Sequence, residues 1–158
     1  MKINYLIKLK ENPIKFGHLM NFPIKSISIQ EIEDLQGLYN AGNQFPRALK
    51  ELLYLAGKDC YVLSYGLMES QQEMQEHARD MLAEDNLTIE RPFYAIDFYS
   101  DGDQFMFVYL DEGVEDPILY RLHTSDRPEV ETIKSYKKTL SEYINDAVEN
   151  VKRGISPF

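Results

Sequence analysis

Between Ser28 and Ala56 the chain specifies two helices and the break between them, and this pairing limits the fold more than any other stretch. Ser28 is followed three residues later by Glu31. At that spacing the hydroxyl caps a free backbone N–H of the first turn, and the glutamate reaches back to the cap's own N–H. Ile27 and Ile32 stand where a hydrophobic staple would fix the approach of the chain. Ile29, Ile32, Leu35 and Leu38 recur at intervals of three, which predicts one core-facing stripe, with Glu31, Glu33, Asp34 and Gln36 turned to water. Phe45-Pro46 closes the linker, because proline is tolerated in a first helical turn. Leu49, Leu52, Leu53 and Ala56 then form a second stripe that stops at Gly57.

The same capping spacing returns twice. Ser70 and Glu73 open a third helix over about 71–84, with Met74, Ala78, Met81 and Leu82 on its apolar side. Its other side carries Glu73, Glu76, His77 and Asp80, four-residue pairs that can share a metal, but no third ligand is indicated and a solvated face is expected. Thr139 and Glu142 open a last helix through Leu140, Tyr143, Ile144, Ala147, Val148 and Val151, ending near Gly154. Between these helices, Arg91 to His123 reads as a strand meander of FYAIDFY, QFMFVYLD and ILYRLH, rich in aromatic and β-branched residues. Asp101-Gly102 marks the first hairpin turn. Phe105, Phe107 and Tyr109 alternate with Met106, Val108 and Leu110, so the middle strand is expected to be covered on both faces and central in its sheet. Asp101, Asp103, Asp111, Glu112, Glu115 and Asp116 crowd the two turns without the spacing of a calcium loop, and are expected to be solvated. Cys60 precedes Val62-Leu63 and is expected to pack at a strand start. The amino-terminal segment is read as a short helix before Pro13, followed by an irregular bridge, PIKFGHLMNFPIKS.

At 158 residues and 44% hydrophobic content, the chain suits one domain. A single cysteine leaves no internal disulfide and fits a reducing compartment. Lys8 and Lys10 interrupt the apolar start, and no apolar run approaches the ~20 residues of a membrane span, so a cytoplasmic protein is expected. Residues 1–25 hold five lysines against Glu11, a balance of +4; the total of −9 therefore leaves −13 for residues 26–158. Such a field repels nucleic acid and steers basic proteins inward. His18, His77 and His123 are scattered, and no nucleophile elbow, phosphate loop or paired-cysteine site is present, so no catalytic, cofactor or metal residues are expected.

The order helix, helix, strand, helix, three strands, helix predicts an α+β domain whose antiparallel sheet is backed by helices. Over residues 26–150 the chain resembles the SUKH superfamily, whose name-giving members include a fungal regulator of cell-wall synthesis. The resemblance is carried by Ile32-Glu33, Phe45-Pro46, Leu52-Leu53, the meander over 93–122, and Thr139-Leu140 with Tyr143-Ile144. Phe45 stands where leucine is usual, and Ala56-Gly57-Lys58-Asp59 replaces an Asn-Gly-like turn. The basic leader over 1–25 is not part of the common pattern and is expected to pack on or near the domain; residues 26–158 are expected to form the SUKH-like domain. The resemblance implies a non-enzymatic immunity protein that covers a toxin made by the same or a neighbouring bacterial cell. The alternative is an intracellular regulatory or scaffold domain bound to a housekeeping partner. The acidic balance points to a basic toxin, a nuclease being one example, and the acidic hairpin turns point to Asp101, Asp103, Asp111 and Glu112 as its binding residues.

Overall fold

Hydrogen bonding between neighbouring aromatic strands builds the centre of the molecule. The computed structural model describes residues 1–11, 15–16, 20–21, 24–99, 104–123 and 132–156. In chain order these form α1 (Ile7–Glu11), β1 (Lys15–Phe16), β2 (Met20–Asn21), α2 (Ile29–Tyr39), α3 (Arg47–Ala56), α4 (Gln71–Glu84), β3 (Phe93–Tyr99), β4 (Gln104–Tyr109), β5 (Ile118–His123), β6 (Ile133–Thr139) and α5 (Leu140–Lys152). β3 to β6 make one antiparallel meander in sequence order, so the chain is a small α+β domain as expected.

The pleat sends alternate side chains of this sheet into two cores. Tyr94, Ile96, Met106, Val108 and Leu119 face a layer made by the leader, α2, α3 and α5. Phe93, Ala95, Phe98, Phe105, Phe107 and Leu122 face Met74, Ala78, Met81 and Leu82 of α4. β4 is consequently buried on both faces, as its doubled apolar alternation predicted, and it lies between β3 and β5. A bulge between Ala95 and Asp97 breaks the register and buries the Asp97 carboxylate. Asp97 accepts the Ser64 N–H at 2.7 Å and the Tyr143 hydroxyl at 3.3 Å, tying a buried turn and α5 to the sheet.

The capping boxes at Ser28 and Thr139 are both complete. At Ser70 only half of the box forms: its hydroxyl accepts the Glu73 N–H, while the Glu73 carboxylate takes the N–H of Glu69 instead. Three expectations need correction. No strand begins at Cys60; Tyr61, Val62 and Leu63 are buried in a turn, which satisfies their apolar character without extended pairing. A fourth strand, β6, follows the three that were expected; its sequence IKSYKKT is polar because it is the sheet edge, where lysines discourage pairing with another chain. Finally, the α2 stripe is shorter than its spacing implied: Ile32, Leu35 and Gln36 are buried, but Ile29 and Leu38 at the two ends are exposed.

The leader is threaded into the first core. Ile3, Leu6 and Leu9 are buried there, and Glu51 of α3, itself fully buried, accepts the N–H groups of Asn4, Tyr5 and Leu6 at 2.8–3.1 Å. The segment read as an irregular bridge contains the short β1–β2 ladder.

Candidate functional site

The exposed end of α2 and the turn that leads into α4 enclose a groove of about 220 Å³. α2 supplies Glu31, Asp34, Leu35 and Leu38, and the far wall is Tyr65, Met68, Glu69 and the start of α4. Its floor is rigid for local reasons. Gln71 is buried and donates to the Gly57 carbonyl at 2.8 Å while accepting the Tyr94 hydroxyl at 3.0 Å. Tyr65 donates to the carbonyl of Ala56 at 2.9 Å. Gly57 is required here, since a Cβ would stand 2.6 Å from the Leu53 carbonyl oxygen and 2.9 Å from Cγ1 of Ile27.

Two leucines distinguish this groove. Leu38 is 60% exposed on one wall, and Leu67, one residue before the lining Met68, is 100% exposed. Gly66 makes room beside it. It adopts φ +65°, and a Cβ there would meet Met68 Cε at 2.9 Å, so glycine lets Met68 take its place in the groove lining. Around the leucines the charge is acidic. Glu31, Asp34 and Glu69 line the groove, with Lys58 as the basic lining residue. Hydrogen bonds from the Ser28 hydroxyl and N–H, aided by Lys58, hold the Glu31 carboxyl below its ordinary range, so it stays ionised. Glu73 and Glu76 continue this charge along the exposed side of α4. A broader, open depression of about 770 Å³ lies around Arg79 and residues 86–93, but its Leu82 and Phe93 are buried in the second core.

The residues expected to bind a partner are placed elsewhere. Asp101 and Asp103 lie outside the described residues, as does the Asp101-Gly102 turn. Asp111 accepts from Arg91 at 2.5–3.1 Å, and Glu112 stands 3.8 Å from the same guanidinium, which stacks 3.8 Å above the Tyr109 ring. Neither residue lines the groove. Of the neighbours expected to be solvated, Glu115 is exposed and accepts the Tyr5 hydroxyl at 2.8 Å, whereas Asp116 is half-buried and accepts the Ser141 N–H at 3.0 Å and its hydroxyl at 2.6 Å. Sequence reasoning placed Leu38 in the core and did not single out Leu67, whose neighbours Tyr65, Gly66 and Met68 give no contrast in polarity.

The chemistry of nucleophiles and metals finds little to build on. Burial pushes the Cys60 thiol up to about 12, so it is protonated at neutral pH. His77 packs against the Phe98 ring at 5.3 Å. Among the described residues no group of three or more His, Cys, Asp or Glu side chains is placed to hold a metal, and no helix is long and apolar enough to cross a membrane. No family model matches this chain, and neither a curated protein nor a solved structure matches it.

Proposed function

We propose that this chain is a non-enzymatic protein-binding domain that neutralises a basic bacterial toxin by covering it. The observation that carries the reading is the groove between α2 and the turn into α4, where exposed Leu38 stands among carboxylates and exposed Leu67 adjoins the lining Met68. At about 220 Å³ it is smaller than the roughly 300–1,000 Å³ of small-molecule sites, so it suits side chains of another protein better than a substrate. An apolar centre with a charged rim is the anatomy of a protein interface. The SUKH-like pattern of the sequence and its acidic balance are consistent with the same role.

The test is co-expression with the product of the adjacent gene, read as growth and as a complex in size-exclusion chromatography. Restored growth with a stable complex is the expected outcome; a toxic product that neither binds nor is relieved sinks the proposal. Two charge-neutralised sets then locate the interface. Asp34→Asn, Glu69→Gln and Glu76→Gln together are expected to slow association at low salt, whereas Asp111→Asn with Glu112→Gln, already engaged by Arg91, leave it little changed. The contrast should fade as salt shortens the Debye length to about 8 Å at physiological ionic strength. The reverse ranking in stopped-flow kinetics would return the site to the meander turns.

A further inference from the structure

We infer that the groove receives a basic amphipathic helix of the partner, with the helix's apolar side chains seated on Leu38 and Leu67. This rests on the reading of the chain as a partner-binding domain, and it names what that partner presents. One wall is helical: α2 runs for 11 residues, about 16 Å at 1.5 Å per residue, and the turn of Tyr65, Met68 and Glu69 with the first residues of α4 faces it across the groove. No residue of the four-stranded sheet lines it, so a partner strand would find no edge to extend. Helices that lie in such grooves anchor through side chains at i, i+3 or i+4, and i+7, and Leu38 on one wall and Met68 on the other, with exposed Leu67 beside Met68, offer apolar contacts for them.

Charge selects the sign of the helix. Asp34 and Glu69 lie on opposite walls, with Glu73 and Glu76 continuing beyond Glu69 along α4. An acidic segment would meet these groups as like charges, whereas lysines and arginines flanking an apolar stripe meet opposite ones. The exposed leucine is the anchor and the carboxylates are the rim. Gly66 supports the wall beside Leu67, because its left-handed backbone favours glycine and its missing Cβ leaves room for Met68.

The experiment uses the full chain and three synthetic peptides of about four helical turns. The first has leucines at i, i+3, i+4 and i+7 with lysines elsewhere, the second has the same composition with the leucines dispersed around the helix, and the third carries glutamate for lysine. Titrations followed by amide chemical shifts are expected to place the first peptide on residues 31–38 and 65–72. It should bind roughly tenfold or more tightly than the other two, and Leu67→Ser, a change at a fully exposed side chain, should lower its affinity roughly tenfold while leaving the unbound spectrum native. Equal binding of the dispersed peptide, shifts centred elsewhere, or unchanged affinity of Leu67→Ser would overturn the inference. A dimer in sedimentation equilibrium that Leu67→Ser dissolves would also overturn it, by making a second copy the occupant. If the toxin is neutralised equally well by Leu67→Ser, the inference fails and the neutralising function stands; if the native chain binds no toxin, the function itself fails.

Discussion

Phe107→Ala is expected to lower the free energy of unfolding by about 3–5 kcal/mol, a large share of the 5–15 kcal/mol by which domains of this size are usually stable. Phe107 is fully buried on the inner strand β4. Its ring meets Phe93 at 5.6 Å, Phe105 at 5.8 Å, Tyr109 at 5.2 Å and Tyr120 at 5.7 Å. These neighbours come from three adjacent strands, held in register by the backbone ladder, so they cannot collapse freely into the space that truncation leaves. Both the lost transfer energy and the residual cavity therefore count. Urea unfolding measures it: the midpoint should fall with an unchanged slope, because the same surface is still exposed on unfolding. A loss below about 1 kcal/mol would mean that the second core repacks and that β4 is not the mechanical centre of the sheet.

The importance of Phe107 was legible in the sequence because strand alternation is local, and so were the caps at Ser28 and Thr139, where both partners of the box lie within one turn. Features that depend on distant chain were not. The lysines of β6 look like loop chemistry until the strand is known to be an edge, and Val62-Leu63 look like strand until the Asp97 bulge is seen holding their turn through Ser64. Buried polar groups were hidden in the same way. Gln75 of α4 bonds both the N–H and the carbonyl of Ala95 across 20 residues, at 2.8 Å each, and from sequence it is one more polar residue on a helix. The candidate site failed to be legible for both reasons together. Arg91 claims Asp111 from 20 residues away, and the groove beside Leu67 forms only where α2 meets the turn into α4, some 30 residues on in the chain.

Glu51→Ala is the second change with a large expected effect, roughly 3–5 kcal/mol, because it breaks an ion pair whose carboxylate is fully buried and leaves the buried Leu6 N–H and the part-buried donors of Asn4, Tyr5 and Arg47 without their acceptor. An exposed arginine and glutamate one helical turn apart are worth only about 0.2–0.5 kcal/mol. In the fold Glu51 is fully buried, and its two oxygens accept the N–H groups of Asn4, Tyr5 and Leu6 as well as Nε of Arg47 at 3.0 Å. Arg47 also donates to the Lys2 carbonyl, so one helix residue and its ion partner hold residues 2–6 against α3. Burial alone would raise the carboxyl, but the three N–H donors and Arg47 outweigh it and hold it below its ordinary 4.5. A depressed carboxyl stabilises the fold fully above its unfolded value and loses that contribution as pH falls through the folded one. The stability difference between native chain and Glu51→Ala should therefore be constant near neutrality and shrink as pH falls below about 4.5. Amide exchange at Asn4, Tyr5 and Leu6 should accelerate in the variant before the sheet amides do, since the leader is the element released. Uniform acceleration through β4 would instead show that the leader and the sheet open as one unit, and a stability difference unchanged into strong acid would show that the charge of Glu51 is not what clamps the leader.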